Sequence, residues 1–331
     1  MITLHSFRDF SRIGISLLSL CAVANALEAA AQPFPSKTIR IVVPTGSSTP
    51  PDIISRVIAA ELSESEGWRV VVENRPGAIQ SIGVADILKQ NADGYSLLVT
   101  GVPMMAAPAL LPNVSFDLER DLAPVVKASV SYNVLVVNPS VPAKSVAELV
   151  ALLKREPDKL TFSSGGFGTP AHLIGEMFKL RTGVRATHVP YQQMPQAIGD
   201  LLNGTNQYQF ITVLPVVELI NSAKLRGLAV TGPRRLPILK DVPAIVEEGF
   251  PDLVLEDWVG FSVKSGTPND VVARLNQAIN KALAAPKVRE SLANLGAEPA
   301  GGTSAEFGNL VKSQVAYWGK VVKDSGIKMQ Q

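Results

Sequence analysis

From Lys37 onward, short β-branched runs alternate with longer stretches whose apolar residues recur three and four positions apart. Segments 39–43, 69–73 and 96–100 read as strands. Segments 52–64 and 81–90 read as amphipathic helices, the second with Ile82, Val84, Ile87 and Leu88 on one face. Strands separated by helices of this length predict parallel strands with helical crossovers. Two extended apolar runs follow, 123–129 and 133–138, long enough to carry the chain to a second body. The alternation then restarts, with helices at 145–156, 170–180, 196–202 and 216–223 and strands at 160–162, 186–189, 208–211 and 225–231. A connection rich in proline (Pro233, Pro237, Pro243) leads to a further extended run, 253–263. Helices at 270–284, 287–295 and 304–325 close the chain. Two restarts joined by two extended passages predict two open sheets linked by two crossing strands. In such sheets ligands bind beyond the carboxyl ends of the strands.

Two of those strand ends share one grammar. After Val43 come Pro44-Thr-Gly-Ser-Ser48, and Thr49-Pro50-Pro51-Asp52 starts a helix. After Phe162 come Ser163-Ser-Gly-Gly-Phe-Gly168, and Thr169-Pro170 starts another. Thr169 suits an N-cap and Pro170 the first helical position. Thr49 and Asp52 have capping-box spacing, which lets the carboxylate reach back to the cap residue's own N–H. Gly165, Gly166 and Gly168 allow positive φ and close approach of backbone to a ligand. Strand–loop–helix starts collect unpaired N–H donors at the positive end of a helix dipole, which suits an anion. Two of them facing each other would form a clamp.

Composition narrows what the clamp can serve. The 331 residues are 46% hydrophobic and 18% charged, a globular balance. With no basic block, 6% aromatics and a formal charge of +2, nucleic-acid binding is excluded as the main function. Arg8 and Arg12 precede an apolar run, residues 13–26, and Ala29-Ala30-Ala31 makes a small-x-small cleavage site. That is the layout of a secretory signal peptide spanning residues 1–31, and its apolar core is short for a membrane span. Cleavage near Ala31 removes Cys21, the sole cysteine, so disulfide and thiolate chemistry drop out. Leu18-Ser19-Leu20 before Cys21 is a poor lipoprotein signal, so the product is expected to be soluble in the periplasm.

More specific words appear in order along the chain: Val71-Val-Glu-Asn-Arg-Pro-Gly-Ala78, Ala92-Asp-Gly-Tyr-Ser-Leu-Leu98, Ser164-Gly165 through Gly168-Thr169 with His172, and His188-Val-Pro-Tyr191. Then come Lys224-Leu-Arg-Gly-Leu-Ala-Val-Thr231, Asp241-Val-Pro243 and Trp258. In this order and spacing the chain resembles the Bug-type receptors of tripartite tricarboxylate transporters, from about Pro35 to Ile327. The resemblance implies an α/β, two-lobed periplasmic-binding-protein fold (type II, Venus-flytrap), each lobe an open and mostly parallel sheet flanked by helices. The expected division is 32–131 plus 253–331 for one lobe and 132–252 for the other. It further implies a monomer without cofactor, metal or catalysis, which holds a small carboxylate, a di- or tricarboxylate or an aromatic acid. Membrane transporter subunits are the implied partners, met by docking rather than insertion. Carried onto this sequence, the contacts fall on Thr45, Gly46, Ser47, Ser48, Thr49 and Asp52 in one loop. In the other they fall on Ser163, Ser164, Gly165, Gly166, Phe167, Gly168, Thr169 and His172, with Tyr191 nearby. There are departures. Adjacent glycines usual in the first loop are Ser48-Thr49 here, followed by Pro50-Pro51. Gln192-Gln193 stand where many members have Lys-Gly. Ile211 follows Phe210 where an acid is common. The last change removes an acceptor for an amino group and disfavours amino-acid ligands.

The chemistry needs no dedicated arginine. A helix dipole gives up to ~2 kcal/mol in a partly buried site, and hydrogen bonds to a charged group about 1.5–3 kcal/mol each. A few of these reach the ~8 kcal/mol of a micromolar complex. Each candidate also has a plainer reading. Thr49 and Thr169 can be caps alone. Asp52 reads better as a capping carboxylate than as a contact to an anion it would repel, and it could instead order a water on the ligand. His172, three residues after the cap, could gate binding with pH or simply pack. Phe167 could wall an apolar ligand body or pack on a neighbouring loop, and Trp258 is expected near the hinge. Two other functions use the same cleft: a sensor subunit for a signalling partner, and an α/β enzyme on an anionic substrate. The enzyme is disfavoured because neither a Gly-x-Ser-x-Gly elbow nor a Walker-type phosphate loop is present.

Overall fold

The computed structural model describes residues 34–326, apart from Pro112 and Gln192. The signal peptide expected over residues 1–31 lies outside the described residues, as does Gln192 of the Gln192-Gln193 pair. By contacts the chain divides into Met1–Ser36 and Lys37–Gln331, and every strand and helix described below belongs to the second unit.

Among the described residues ten strands form: β1 Ile39–Val43, β2 Val70–Asn74, β3 Ser96–Gly101, β4 Leu122–Val137, β5 Thr161–Ser164, β6 Thr187–Pro190, β7 Tyr208–Thr212, β8 Arg226–Val230, β9 Glu256–Lys264 and β10 Ala297–Pro299. In one sheet β2, β1 and β3 run parallel, and β9 continues it antiparallel to β3. In the other, β6, β5 and β7 run parallel, and β4 continues it antiparallel to β7. The two sheets thus repeat one plan, with β1 and β5 at equivalent central places. Both candidate loops leave from the carboxyl ends of these two strands.

Strand β4 joins the sheets. Its Leu122–Tyr132 part pairs with β9, and its Asn133–Val137 part lies between β7 and β8. The returning chain crosses beside it: Thr231 N–H donates to Asn133 O (2.8 Å) and Leu255 N–H to Thr231 O (3.0 Å). Thr231 Oγ1 strengthens the seam, accepting from Asn133 N–H (3.0 Å) and donating to Leu255 O (3.1 Å). The two passages expected from the apolar runs are therefore present, and 123–129 and 133–138 are one 16-residue strand.

Several segments differ from the sequence reading, among them a short strand Ala297–Pro299 and a short helix Leu118–Asp121 that the apolar pattern did not predict. The run at 253–263 begins as a 3₁₀ turn, Pro251–Leu253, and becomes strand only at Glu256. In place of the helix expected at 216–223 stand a 3₁₀ turn, Leu214–Val216, and a short helix, Val217–Asn221. A helix at Val102–Leu110 went unread: it buries Val102, Met104, Met105, Ala106, Ala107 and Leu110, so no polar face gives it a period. The main apolar core runs through Leu98, Met104, Phe162, Phe178, Tyr208, Trp258 and Trp318, and so has members on both sheets. Trp258 lies on the crossing strand β9, its ring edge-on to Phe307 at 5.5 Å.

Candidate functional site

The first loop is held by charge. Asp52 is 2% exposed, and its Oδ2 accepts the N–H of Ser48 (2.9 Å). Arg56, one turn further along the helix Pro50–Glu66, grips the same carboxylate through Nε (3.1 Å to each oxygen) and Nη2 (2.9 Å). Asn74, at the end of β2, donates to Asp52 Oδ1 (2.9 Å) and to Thr45 O (3.1 Å). Burial alone would push the Asp52 carboxyl up, but hydrogen bonds from Arg56, Asn74 and Ser48 outweigh it and hold it below the usual aspartate value. The capping box expected at Thr49 is displaced by one residue. Thr49 makes no side-chain cap; its Oγ1 donates to Gly46 O (2.8 Å) and pairs with Thr45 Oγ1 (2.8 Å). Ser48 takes a left-handed φ of 61°, which turns its N–H onto the carboxylate. Gly46, Ser47 and Ser48 are exposed at the tip.

The second loop is held by neutral groups. Thr169 caps the helix Pro170–Thr182 as expected, accepting from His172 N–H (3.4 Å) and donating through Oγ1 to Gly166 O (2.7 Å). His172 is 2% exposed, and its Nδ1 accepts the N–H of Gly168 (3.1 Å), so the ring proton belongs on Nε2. His188, within the neighbouring strand β6, packs ring to ring on His172 at 4.3 Å and pairs through Nε2 with Ser164 Oγ (2.7 Å). Ser164 Oγ also accepts from Gly166 N–H (3.1 Å). Phe167 stands edge-on to both imidazoles, 5.3 Å and 5.2 Å away. Burial, and then the Lys179 ammonium, push the His172 imidazole down to about 4; burial, then His172 and Lys179, push His188 down to about 3. Both rings are uncharged at neutral pH.

These contacts redistribute the expected roles. His172 and His188 brace the loop from beneath, and Phe167 packs on them. Tyr191 is turned away: its hydroxyl donates to Asp200 Oδ2 (2.6 Å) and accepts from Asn206 (2.6 Å), so a direct bond from that hydroxyl to a ligand is not available. Ser163 Oγ is wholly buried and has no hydrogen-bond partner among the described residues; Gln209 Oε1, on the paired position of β7, is in the same state. Gln209 carried no signal in the sequence, because a single polar residue in a short strand is ordinary.

The loops share one neighbour. A Cβ on Gly168 would stand 3.1 Å from side-chain carbons of Ile79, and one on Gly83 would stand 2.7 Å from Pro44 Cβ. Segment 79–83 therefore lies against the second loop at one end and the root of the first loop at the other. The Pro76-Gly77 turn before it reads as structural, and nothing in the pattern singled out Ile79 or Gln80. Among the described residues no helix is long and apolar enough to cross a membrane.

Residues 54–327 match the family described as the tripartite tricarboxylate transporter family receptor. The protein BugT of Bordetella pertussis is 33% identical over 92% of this chain and 94% of its own length. A Rhodopseudomonas palustris MatC structure with bound malate superposes with a TM-score of 0.75 at 27% identity, covering 87% of this chain and all of that one. An R. palustris protein solved with adipate superposes with a TM-score of 0.78 at 32% identity, over 89% of this chain and 99% of that one.

Proposed function

The chain belongs to the tripartite tricarboxylate transporter receptor family, and from that premise we propose that it captures a small carboxylate between two lobes and presents it to membrane transporter subunits. The observation that carries the proposal is the shared neighbour: residues 79–83 touch the second loop through Ile79 and Gly168 and the base of the first through Gly83 and Pro44. Two loops at equivalent strand ends, brought to one segment, form the jaws of a clamp. The malate and adipate held by similar proteins support a di- or tricarboxylate as the ligand class.

In this reading the exported chain works in the periplasm as a monomer. Its first lobe spans 32–131 plus 253–331 and its second 132–252, dividing where β4 and the Thr231–Leu255 return cross. The acid meets Thr45, Gly46, Ser47, Ser48 and Thr49 on one side and Ser163 through Thr169 on the other. Asp52 acts from behind: its charge is answered by Arg56, so the ligand faces a loop whose own anion is already neutralised. His172 sets the Gly168 amide, and Tyr191 contributes a wall rather than a hydroxyl. The protein performs no chemistry on what it binds.

Titration calorimetry of the mature chain against a panel that includes malate, succinate, citrate and adipate should give at least one saturable binder, recovered unchanged after long incubation. Silence across the panel would defeat the proposal, and conversion of the ligand would point to an enzyme.

A further inference from the structure

Three consecutive residues with side chains, Ala78, Ile79 and Gln80, hold left-handed φ values of 46°, 47° and 70°. Such backbone is glycine's territory, and a run of it persists where surrounding contacts over-determine it, a pattern that clusters at ligand clamps and switches. One contact is visible. Ile79 fills the space that a Cβ on Gly168 would need, and Gly168 is itself left-handed at 76°. The strained turn of one half therefore seats an apolar side chain on the bare backbone of the other.

Gln80 follows at once. It is 9% exposed, and its Oε1 is buried with no hydrogen-bond partner among the described residues. A buried acceptor left unpaired is unfavourable unless a donor arrives from water or a ligand. Gln80 opens the helix Ser81–Leu88, and Gly83, one turn on, lies against Pro44 at the base of the first loop. Gln80 thus stands between the residue that meets the second loop and the helix turn that meets the first. The groove on the outer side of this helix is lined by Ala78, Ser81, Ile82 and Ala85, without Gln80.

We propose that the Ala78–Gln80 turn is a third ligand-facing element: Ile79 closes the cleft onto Gly168, and Gln80 offers its amide oxygen to a hydrogen-bond donor on the bound acid. The receptor then selects carboxylates that carry a hydroxyl over the same skeleton without one. This rests on the receptor reading above. A site built around an unpaired polar group rejects the analogue that lacks the matching group far more strongly than an apolar pocket rejects a missing methylene.

The test is calorimetry with matched pairs: lactate and propionate, malate and succinate, citrate and tricarballylate. The hydroxy acid of at least one pair should bind about tenfold or more tightly than its partner. Gln80→Leu should erase that difference by weakening the hydroxy acid alone. Gln80→Asn, which tolerates left-handed backbone and withdraws the oxygen by one carbon, serves if the leucine variant does not fold. Ile79→Gly should weaken both members of a pair alike, about tenfold, while raising the unfolding temperature because the backbone strain is released. Equal or better binding of the unsubstituted acid in every pair that binds, or binding confined to acids without a hydroxyl, overturns this inference and leaves the receptor standing. An unchanged preference in both Gln80 variants does the same. No binding by any carboxylate defeats the receptor reading itself.

Discussion

The two loops leave equivalent strands and open equivalent helices, yet they are fixed by opposite means. The first relies on an ionised, buried carboxylate answered by Arg56, Asn74 and Ser48. The second relies on two uncharged imidazoles that pair with Gly168 N–H and Ser164 Oγ. Their supplies of amide donors differ as well. Pro50 and Pro51 remove two of the N–H groups a helix start would leave free, whereas Pro170 removes one from the second helix. The first jaw therefore offers hydroxyls and an exposed tip around a charge already neutralised, whereas the second turns the N–H groups of Gly166 and Gly168 inward onto Ser164 Oγ and His172 Nδ1. A shared strand–loop–helix plan fixes where a site sits; the residues beneath the loop decide what it presents and under which conditions it holds.

Acid should separate the two most clearly. The folded values of His172, about 4, and His188, about 3, lie below the 6.5 of a free imidazole, so unfolding takes up protons below that pH. The stability they contribute is fully present above pH 6.5 and is lost as pH falls toward 4 and then 3. Each ring can add a slope of about 1.4 kcal/mol per pH unit within that window, and the His172 shift alone amounts to about 3 kcal/mol. Asp52, whose carboxyl is held below the usual aspartate value, stays ionised from pH 7 to 4.5 and keeps the first loop intact there. Urea titrations at pH 7, 6, 5 and 4.5 should show the loss, and His172→Gln should flatten it. An equal slope in wild type and variant would mean that the rings are not what fixes the second loop.

The first loop answers to a different change. Asp52→Ala strands the Asn74 amide and the Ser48 N–H and should cost about 2 kcal/mol, with Asp52→Asn recovering part of it. Neither substitution should alter the slope between pH 6.5 and 4.5. A steeper acid loss in Asp52→Ala would show that the two supports are coupled rather than separate.

Much of the shared plan is legible in the sequence. The alternation of strands and helices, the crossing passages and the two loops all follow from apolar period and from cap and turn residues, which act over a few neighbouring positions. Thr169 as a cap is such a local fact. The His172–His188 pair was not legible, because the residues are sixteen apart and meet only through the parallel register of β5 and β6, which sets Phe162 beside His188. Asn74 was hidden for the same reason, since it meets Asp52 only through the packing of one helix against β2; Arg56, one turn from Asp52 on the same helix, is a local pair that spacing alone could have found. The turn at 78–80 left no trace at all. Left-handed backbone is ordinarily announced by glycine or asparagine, and here Ala, Ile and Gln adopt it under tertiary contact. The helix Val102–Leu110 escaped because it carries no polar residue, and without one there is no period by which a helix is read.

The smallest expected effect tests the grammar itself. Thr49 and Thr169 occupy matching positions, each followed by proline, and local rules make both N-caps. Only Thr169 has its hydroxyl on a first-turn N–H, at 3.4 Å from His172 N. Thr169→Ala should therefore lose a cap, about 1 kcal/mol, together with the bond to Gly166 O that closes the loop. Thr49→Ala loses only hydroxyl bonds to Gly46 O and Thr45 on a half-exposed surface, where water can replace them, and should cost less. Paired denaturation curves give the difference directly. If Thr49→Ala proves the more costly of the two, then the first loop depends on its hydroxyl pair rather than on Asp52, and the contrast between a charge-held and a neutral jaw loses its basis.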